Sequence, residues 1–342
     1  MAVVKWKLKT ATSLCIKSGT VSHWKQAESR DAKKRQVRAE FDFFKKDKSQ
    51  DQESSLADFY FDACINGGAL KVRYCIPASS VRGALRSYTL KRLVEKSAWK
   101  DIDLEKKEVG ENADQQQADK RLRMQVALRK PGWRLIQNLF GLATDSADLE
   151  LDEETVAGRL QVSVGELADL SPAAFESHLL AGDFKKGECK LGPSQGKMVI
   201  TTRNPLDRIT QAAKDGGLHS FMELTPDNSF EVILRIANPA PMDLGMVAFW
   251  ELGFNSGLLR LGGLTSAGRG RLVVESARVS LFSRTPQDFF GLEPDRENNG
   301  DRLSALFDGY VIGDWATHKK TYLEKLRCVY DQYGKEVQDA HP

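Results

Sequence analysis

Two stretches of this chain alternate apolar and polar side chains, and that period of two constrains the fold more than any other feature. Val4, Trp6 and Leu8 alternate with Lys5, Lys7 and Lys9; Phe230, Val232, Leu234 and Ile236 alternate with Glu231, Ile233 and Arg235; residues 271–279 also read as a strand. Successive side chains of a strand point to opposite faces, so these segments need a sheet with one buried and one wetter face. Antiparallel sheets provide that. Phe59, Phe61, Ala63 and Ile65, then Leu70, Val72, Tyr74 and Ile76, form two more strands around the hairpin signal Asn66-Gly67. Residues 158–164 and 197–202 also read as extended. Val81, Ala84, Leu85 and Tyr88 recur at helical spacing and predict a helix over 81–96, with Ser79 and Ser80 as N-caps. Further helices are expected at 133–140, ending at Gly141, at 243–255, and at 315–333 in the tail. This order of elements predicts an α+β fold with an antiparallel sheet, most economically the ferredoxin-like β-α-β-β-α-β arrangement with large insertions.

At 342 residues the chain is long enough for two domains or for one domain with insertions. We expect one domain over 1–342, with a basic insertion at 17–56, a polar insertion at 100–130 and a helical tail at 302–342. The net charge of +3 is unevenly spread: residues 1–48 hold 13 Lys and Arg against 5 Asp and Glu. Such a block is either a solvated loop or the source of one basic face. Over 17–56 the periodicity disappears, so this segment is expected to be a long mobile insertion whose removal costs little burial. No apolar run approaches the ~20 residues of a membrane helix. The opening ten residues carry lysines where a secretory signal needs apolar side chains, so neither membrane nor export is expected. Cys15, Cys64, Cys75, Cys189 and Cys328 form no C-x-x-C pair, which suits free thiols in a reducing cytoplasm. No metal and no cofactor is expected.

Three stretches carry the chemistry. Gly262-Gly263-Leu264-Thr265-Ser266-Ala267-Gly268-Arg269-Gly270-Arg271 combines four glycines with two arginines. Gly263 and Gly268 have the spacing of a P-loop, but Arg269-Gly270 stands where Lys and Ser or Thr are required. A dinucleotide-binding turn opens a helix, whereas a strand follows here. Two readings remain. One is a tight packing loop. The other is a phosphate-contacting loop whose backbone N–H groups are free to face an anion, and the arginines favour it. The second stretch, residues 76–86, offers a helix N-terminus with Ser79 and Ser80, and Arg82 and Arg86 on one face, again suited to phosphate. The third, residues 201–210, gathers Arg203, Asn204, Asp207, Arg208 and Thr210 in a turn whose composition suits a sugar–phosphate chain.

Taken in order, these elements resemble a known family. Ile76-Pro77-Ala78-Ser79-Ser80-Val81-Arg82-Gly83-Ala84-Leu85-Arg86, then Leu139-Phe140-Gly141, then Leu206-Asp207-Arg208-Ile209-Thr210, then the 262–270 loop match the motifs of the RAMP proteins of CRISPR systems. The match is nearest the backbone subunits, the Cas seven family, of type III and type IV effector complexes. The four motifs frame residues 59–280. The resemblance implies a modified RNA-recognition fold that polymerises along CRISPR guide RNA as a helical filament of its own copies, alongside other effector-complex subunits. It implies RNA contacts at Ser79, Ser80, Arg82, Arg86, Arg203, Asn204, Asp207, Arg208, Thr210, Gly262, Gly263, Ser266, Gly268, Arg269 and Arg271. Such a subunit grips the ribose–phosphate chain and leaves the bases to pair with a target nucleic acid. It also implies a thumb-like hairpin, here 203–223.

Type III relatives carry an aspartate upstream of the helix motif that supports metal-dependent cleavage of target RNA, and Asp62 is its counterpart by position. Pro77-Ala78-Ser79 and the basic 17–56 segment lean instead toward a type IV-like subunit that holds the guide without cutting. A third reading, a repeat-processing endoribonuclease, would use His23 as general acid or base. His219 and Glu223 lie four apart with no third ligand in view. The basic 17–56 segment, with Trp24, Phe41, Phe43 and Phe44 among its lysines and arginines, is expected to contact the guide–target duplex or a displaced strand.

Overall fold

The alternation near the start becomes the central strand of the larger sheet. The structure, a computed structural model, describes residues 1–24, 38–40, 54–66, 69–93, 131–141, 157–167, 188–190, 198–203, 219–283, 290–298 and 307–339. In chain order the strands are β1 (Ala2–Thr10), β2 (Lys17–Trp24), β3 (Arg38–Glu40), β4 (Ser54–Phe59), β5 (Phe61–Asn66), β6 (Ala69–Ile76), β7 (Leu160–Val162), β8 (Gly165–Leu167), β9 (Glu188–Lys190), β10 (Met198–Arg203), β11 (His219–Leu224), β12 (Ser229–Ile236), β13 (Leu272–Ser283), β14 (Leu292–Pro294) and β15 (Asp308–Ile312). The helices are α1 (Ala78–Leu93), α2 (Pro131–Phe140), α3 (Pro241–Asn255) and α4 (Trp315–Asp339).

β1 lies between β12 and β13 and runs antiparallel to both. β7 and β8 pair with the far side of β12. The order β13-β1-β12-β7/β8, with α1 following β1 and α3 joining β12 to β13, is the ferredoxin-like arrangement. β15 and β14 extend this sheet beyond β13, and β6 and β5 extend it beyond β8. The Asn66-Gly67 hairpin forms in the expected register, with Asn66 opposite Ala69. Ala2, Val4, Trp6 and Leu8 are buried under the helices, while Lys7 on the other face is 57% exposed.

α3 is the inner helix. Gly245 allows α4 to cross it closely: a Cβ there would stand 2.3 Å from the Tyr322 carbonyl oxygen. One turn and a half further on, Glu251 is 2% exposed, and its Oε1 accepts hydrogen bonds from the indole N–H groups of Trp6 (2.8 Å) and Trp315 (2.9 Å). A buried polar group persists only when partnered, so this carboxylate fixes sheet, α3 and tail helix to one another. Trp250 donates to Thr89 of α1 at 2.9 Å and ties the remaining crossover helix to the same core.

Several expectations change. The helix expected at 81–96 begins three residues earlier, at Ala78, because the Pro77 carbonyl already accepts the amides of Ser80 and Val81; it is described to Leu93, and 94–96 lie outside the described residues. Ser79 and Ser80 therefore sit in its first turn and do not cap it. The tail is not wholly helical, since β15 precedes α4. The segment 17–56 is not devoid of regular structure. β2 and β3, with β4, build a second sheet in the order β10-β11-β4-β2-β3-β9. Its β4–β11 pairing is parallel, unlike its neighbours. These strands escaped the alternation test because they are specified by pairing with partners far along the chain. Removing 17–56 would take β2 and β3 out of this sheet. The 100–130 segment, with 94–99 before it, lies outside the described residues. Among the described residues no helix is long and apolar enough to cross a membrane.

Burial pushes the Glu251 carboxyl above its usual range, while the two indoles and Lys319 pull it down. Between the ordinary carboxylate value and the raised one, the folded chain binds a proton more tightly than the unfolded chain, so stability falls as pH rises through that window. Glu251→Gln keeps an acceptor for both indoles without a charge to bury. We expect it to flatten this dependence and to match or exceed the parent at neutral pH. Glu251→Ala, which strands two buried N–H groups, should lose roughly 2–6 kcal/mol on the usual penalty of about 1–3 per group. Urea denaturation across a pH series reads both.

Candidate nucleic-acid interface

The glycine-rich loop leaves α3 through buried Leu259 and Leu261 and enters β13 at Leu272. Its shape is set by the segment 11–16 that follows β1. The Gly263 amide donates to the Cys15 carbonyl at 2.7 Å, the Gly270 amide to the Ser13 carbonyl at 2.9 Å, and the Arg271 amide to Thr12 Oγ1 at 3.0 Å. Gly262 and Gly270 have φ of +79° and +75°, and a Cβ would stand 2.3 Å from the Cys15 carbonyl oxygen and 1.9 Å from that of Leu261. No other residue type fits there. Arg260, which the sequence reading passed over, braces the loop from beneath by donating to the carbonyls of Gly257 (3.1 Å) and Thr265 (2.8 Å).

The loop's amides are therefore mostly not free to face an anion, contrary to expectation. Those of Ala267, Gly268 and Arg269 also bond within the loop. The reason is that a glycine run this close to another backbone satisfies its own donors first. Gly262 and Gly270 serve docking, and the outward chemistry falls to the side chains. Leu264, at φ +58°, starts a short turn over 265–267 that carries exposed Ser266 and Gly268.

Arg269 Nε donates to Glu223 Oε1 at 2.8 Å, and the other Glu223 oxygen accepts Thr201 Oγ1 at 2.8 Å. Glu223 is 1% exposed and Arg269 29%. This pair joins the loop to the β10–β11 hairpin, in which Arg203 stands opposite His219. The Cys15 thiol lies among the same charges. Burial and Glu223 push its pKa up, while Lys17, Arg203 and Arg269 pull it down. Arg271 is exposed, with no side-chain partner among the described residues. Arg269, Arg203 and Lys17 thus share one basic neighbourhood around the buried Glu223, while the Arg271 side chain lies against Gly257. His219 and Glu223 belong to an extended strand, where a four-residue separation spans ~13 Å. That is too far for a shared metal.

The α1 motif approaches the same region through the backbone. Cys15 receives the loop, Ile16 accepts the Tyr60 amide, and Tyr60 accepts the Cys75 amide just ahead of Pro77. Ser79 and Arg86 are exposed and Ser80 half-buried. Arg82 also has a structural partner: its Nη2 donates to the Phe140 carbonyl at 2.7 Å, and its guanidinium lies over the Phe140 ring. It holds the Leu139-Phe140-Gly141 turn, a structural link between two of the motifs. Asp62 lies on β5 in register with Arg73. Asn204, Asp207, Arg208 and Thr210 lie outside the described residues, as does 204–218 of the expected thumb. Neither Glu223 nor Thr201 stood out in the sequence as a partner of Arg269. Both lie on the β10–β11 hairpin, 46 residues or more away.

A ferredoxin-like sheet edged by a docked, arginine-bearing glycine loop defines the class of protein. The family model of the RAMP superfamily matches residues 7–273, and the chain belongs to that superfamily. A solved chain described as "Type IV-B CRISPR Complex" superposes with a TM-score of 0.41 at 15% identity, covering 88% of this chain and 100% of that one. No curated protein matches it.

The two loop arginines should separate in a stability measurement. Breaking a buried ion pair from one side costs about 3–5 kcal/mol, and partial exposure of Arg269 places Arg269→Ala at or below the lower end. Arg271→Ala should stay within about 0.5 kcal/mol of the parent. Urea unfolding of the two variants checks this; equal losses would place both side chains in the structural scaffold.

Proposed function

We propose that this chain is a backbone subunit of a CRISPR effector complex, binding guide RNA along its sugar–phosphate chain and presenting the bases for pairing. The observation that carries the reading is the rigid docking of loop 262–271, which fixes Arg269 against the β10–β11 hairpin, near the Cys15 thiol that Arg203 also influences, and leaves Arg271 exposed at the loop's end. Arginines fixed on a scaffold suit phosphate, whose oxygens accept paired N–H donors. Phosphate contacts position a protein without reading sequence, as a guide-holding subunit requires. Superfamily membership and the order of the four motifs support it. A subunit gripping a short stretch of guide must repeat to cover it, so neighbouring copies meet through a heterologous, open-ended contact, with 203–223 reaching the next copy.

Pro77-Ala78-Ser79 and the basic 17–56 segment favour a type IV-like subunit that holds the guide without cutting. In this reading the lysines and arginines of 17–56 face nucleic acid while β2, β3 and β4 hold the segment in place.

Expression beside a CRISPR array should yield a discrete guide-length RNA on purification, and the complex should sediment as several protein copies per RNA. A stable one-to-one complex would sink the filament. Incubation with complementary target RNA and Mg²⁺ should leave the target intact. Metal-dependent cleavage lost in Asp62→Ala would instead make this a cutting subunit, and repeat cleavage lost in His23→Ala a processing enzyme.

A further inference from the structure

We infer that Glu223 is a positioning residue of the phosphate grip, holding Arg269 by its Nε so that the two terminal nitrogens present a fork to one phosphate. The inference rests on the guide-binding reading above. An arginine has five N–H donors in a rigid plane. Here only Nε is engaged, by Glu223, and Nη1 and Nη2 have no partner among the described residues. The clamp itself is rigid. Glu223 is 1% exposed, and Thr201 occupies its second oxygen, so the carboxylate cannot turn away. Nor can Arg269 swing out, since its departure would leave a buried carboxylate with one hydroxyl partner. The guanidinium plane is thus fixed before any ligand arrives, and less side-chain freedom is lost on binding.

The clamp also sets a coupling. Glu223, opposite Val199, and Thr201, opposite Phe221, sit diagonally across the β10–β11 pair, whereas Arg269 belongs to the loop entering β13. A phosphate held by Arg269 is therefore tied to the position of the β10–β11 hairpin. Displacement of that hairpin would turn the fork.

A plain electrostatic view makes the opposite forecast. An acid beside a phosphate site repels RNA, so neutralising Glu223 should tighten binding. The positioning role makes Glu223→Gln weaker despite the gain of one positive charge. The test uses the full-length chain and single-stranded RNA of two unrelated sequences, with affinity measured across a salt series. Glu223→Gln should bind both RNAs about 3–10-fold more weakly than the parent, without a change of sequence preference. The double variant Glu223→Gln/Arg269→Ala, which leaves no unpaired buried charge, should be little weaker than Glu223→Gln. Its salt slope should fall by about one unit relative to the parent. Thermal melting of Glu223→Gln at the parent's temperature confirms that the fold survives, and Arg269→Lys should be as weak as Glu223→Gln, because an ammonium bound to Glu223 has no planar fork to offer. If Glu223→Gln binds more tightly than the parent, Glu223 is only a counter-charge; the inference falls and the guide-binding reading stands. If the double variant binds RNA as well as the parent, Arg269 holds no phosphate and both fall.

Discussion

The buried carboxylate of Glu251 is the joint on which the rest of this molecule depends. It accepts N–H donors from Trp6 on the central strand and Trp315 at the start of the tail helix. One side chain thereby sets the distance between sheet, inner helix and outer helix. An acid in that place is costly to desolvate, and the two indoles offset the cost only when both elements are docked. The arrangement therefore favours a single packing over a family of similar ones. α3 runs from this joint to Asn255, and the glycine loop begins seven residues further on, at Gly262.

From there the logic is positional. Leu259 and Leu261 anchor the loop's entry in the core, and β13 anchors its exit. Between them the loop lies on 11–16, the turn that links the two sheets. Surface loops are ordinarily where a chain is least fixed. This one is held by backbone bonds at several points and by glycines that admit no side chain. The arginines extend from it, one clamped by a buried acid and one exposed.

The same packing explains why two motifs that share a composition have different jobs. Arg82 and Arg269 both sit beside glycine in basic, motif-like stretches. Arg82 reaches the end of α2 and satisfies the Phe140 carbonyl, as a helix C-terminus requires. Arg269 reaches the buried Glu223 through Nε, and its Nη1 and Nη2 have no partner among the described residues. Nothing in either local sequence distinguishes them. The difference lies in what stands within reach of each guanidinium after folding.

Much of the fold is legible in the chain itself. The alternation of 3–9 and 229–236, the Asn66-Gly67 turn, the helix at 243–255 and the glycines of 262–270 are local patterns, because burial of one face leaves a periodic trace. Gly262 and Gly270 were visible as candidates, although their amides turned out to be engaged. What the chain could not disclose depends on partners distant in sequence. β2 and β4 carry little alternation, and their pairing with each other and with the β10–β11 hairpin exists only once the two sheets meet. Glu223 carries no local sign of this partner until the 45 intervening residues fold back and bring Arg269 to 2.8 Å. Periodicity records which face is buried, but not against what, and that second question is settled by tertiary contact alone.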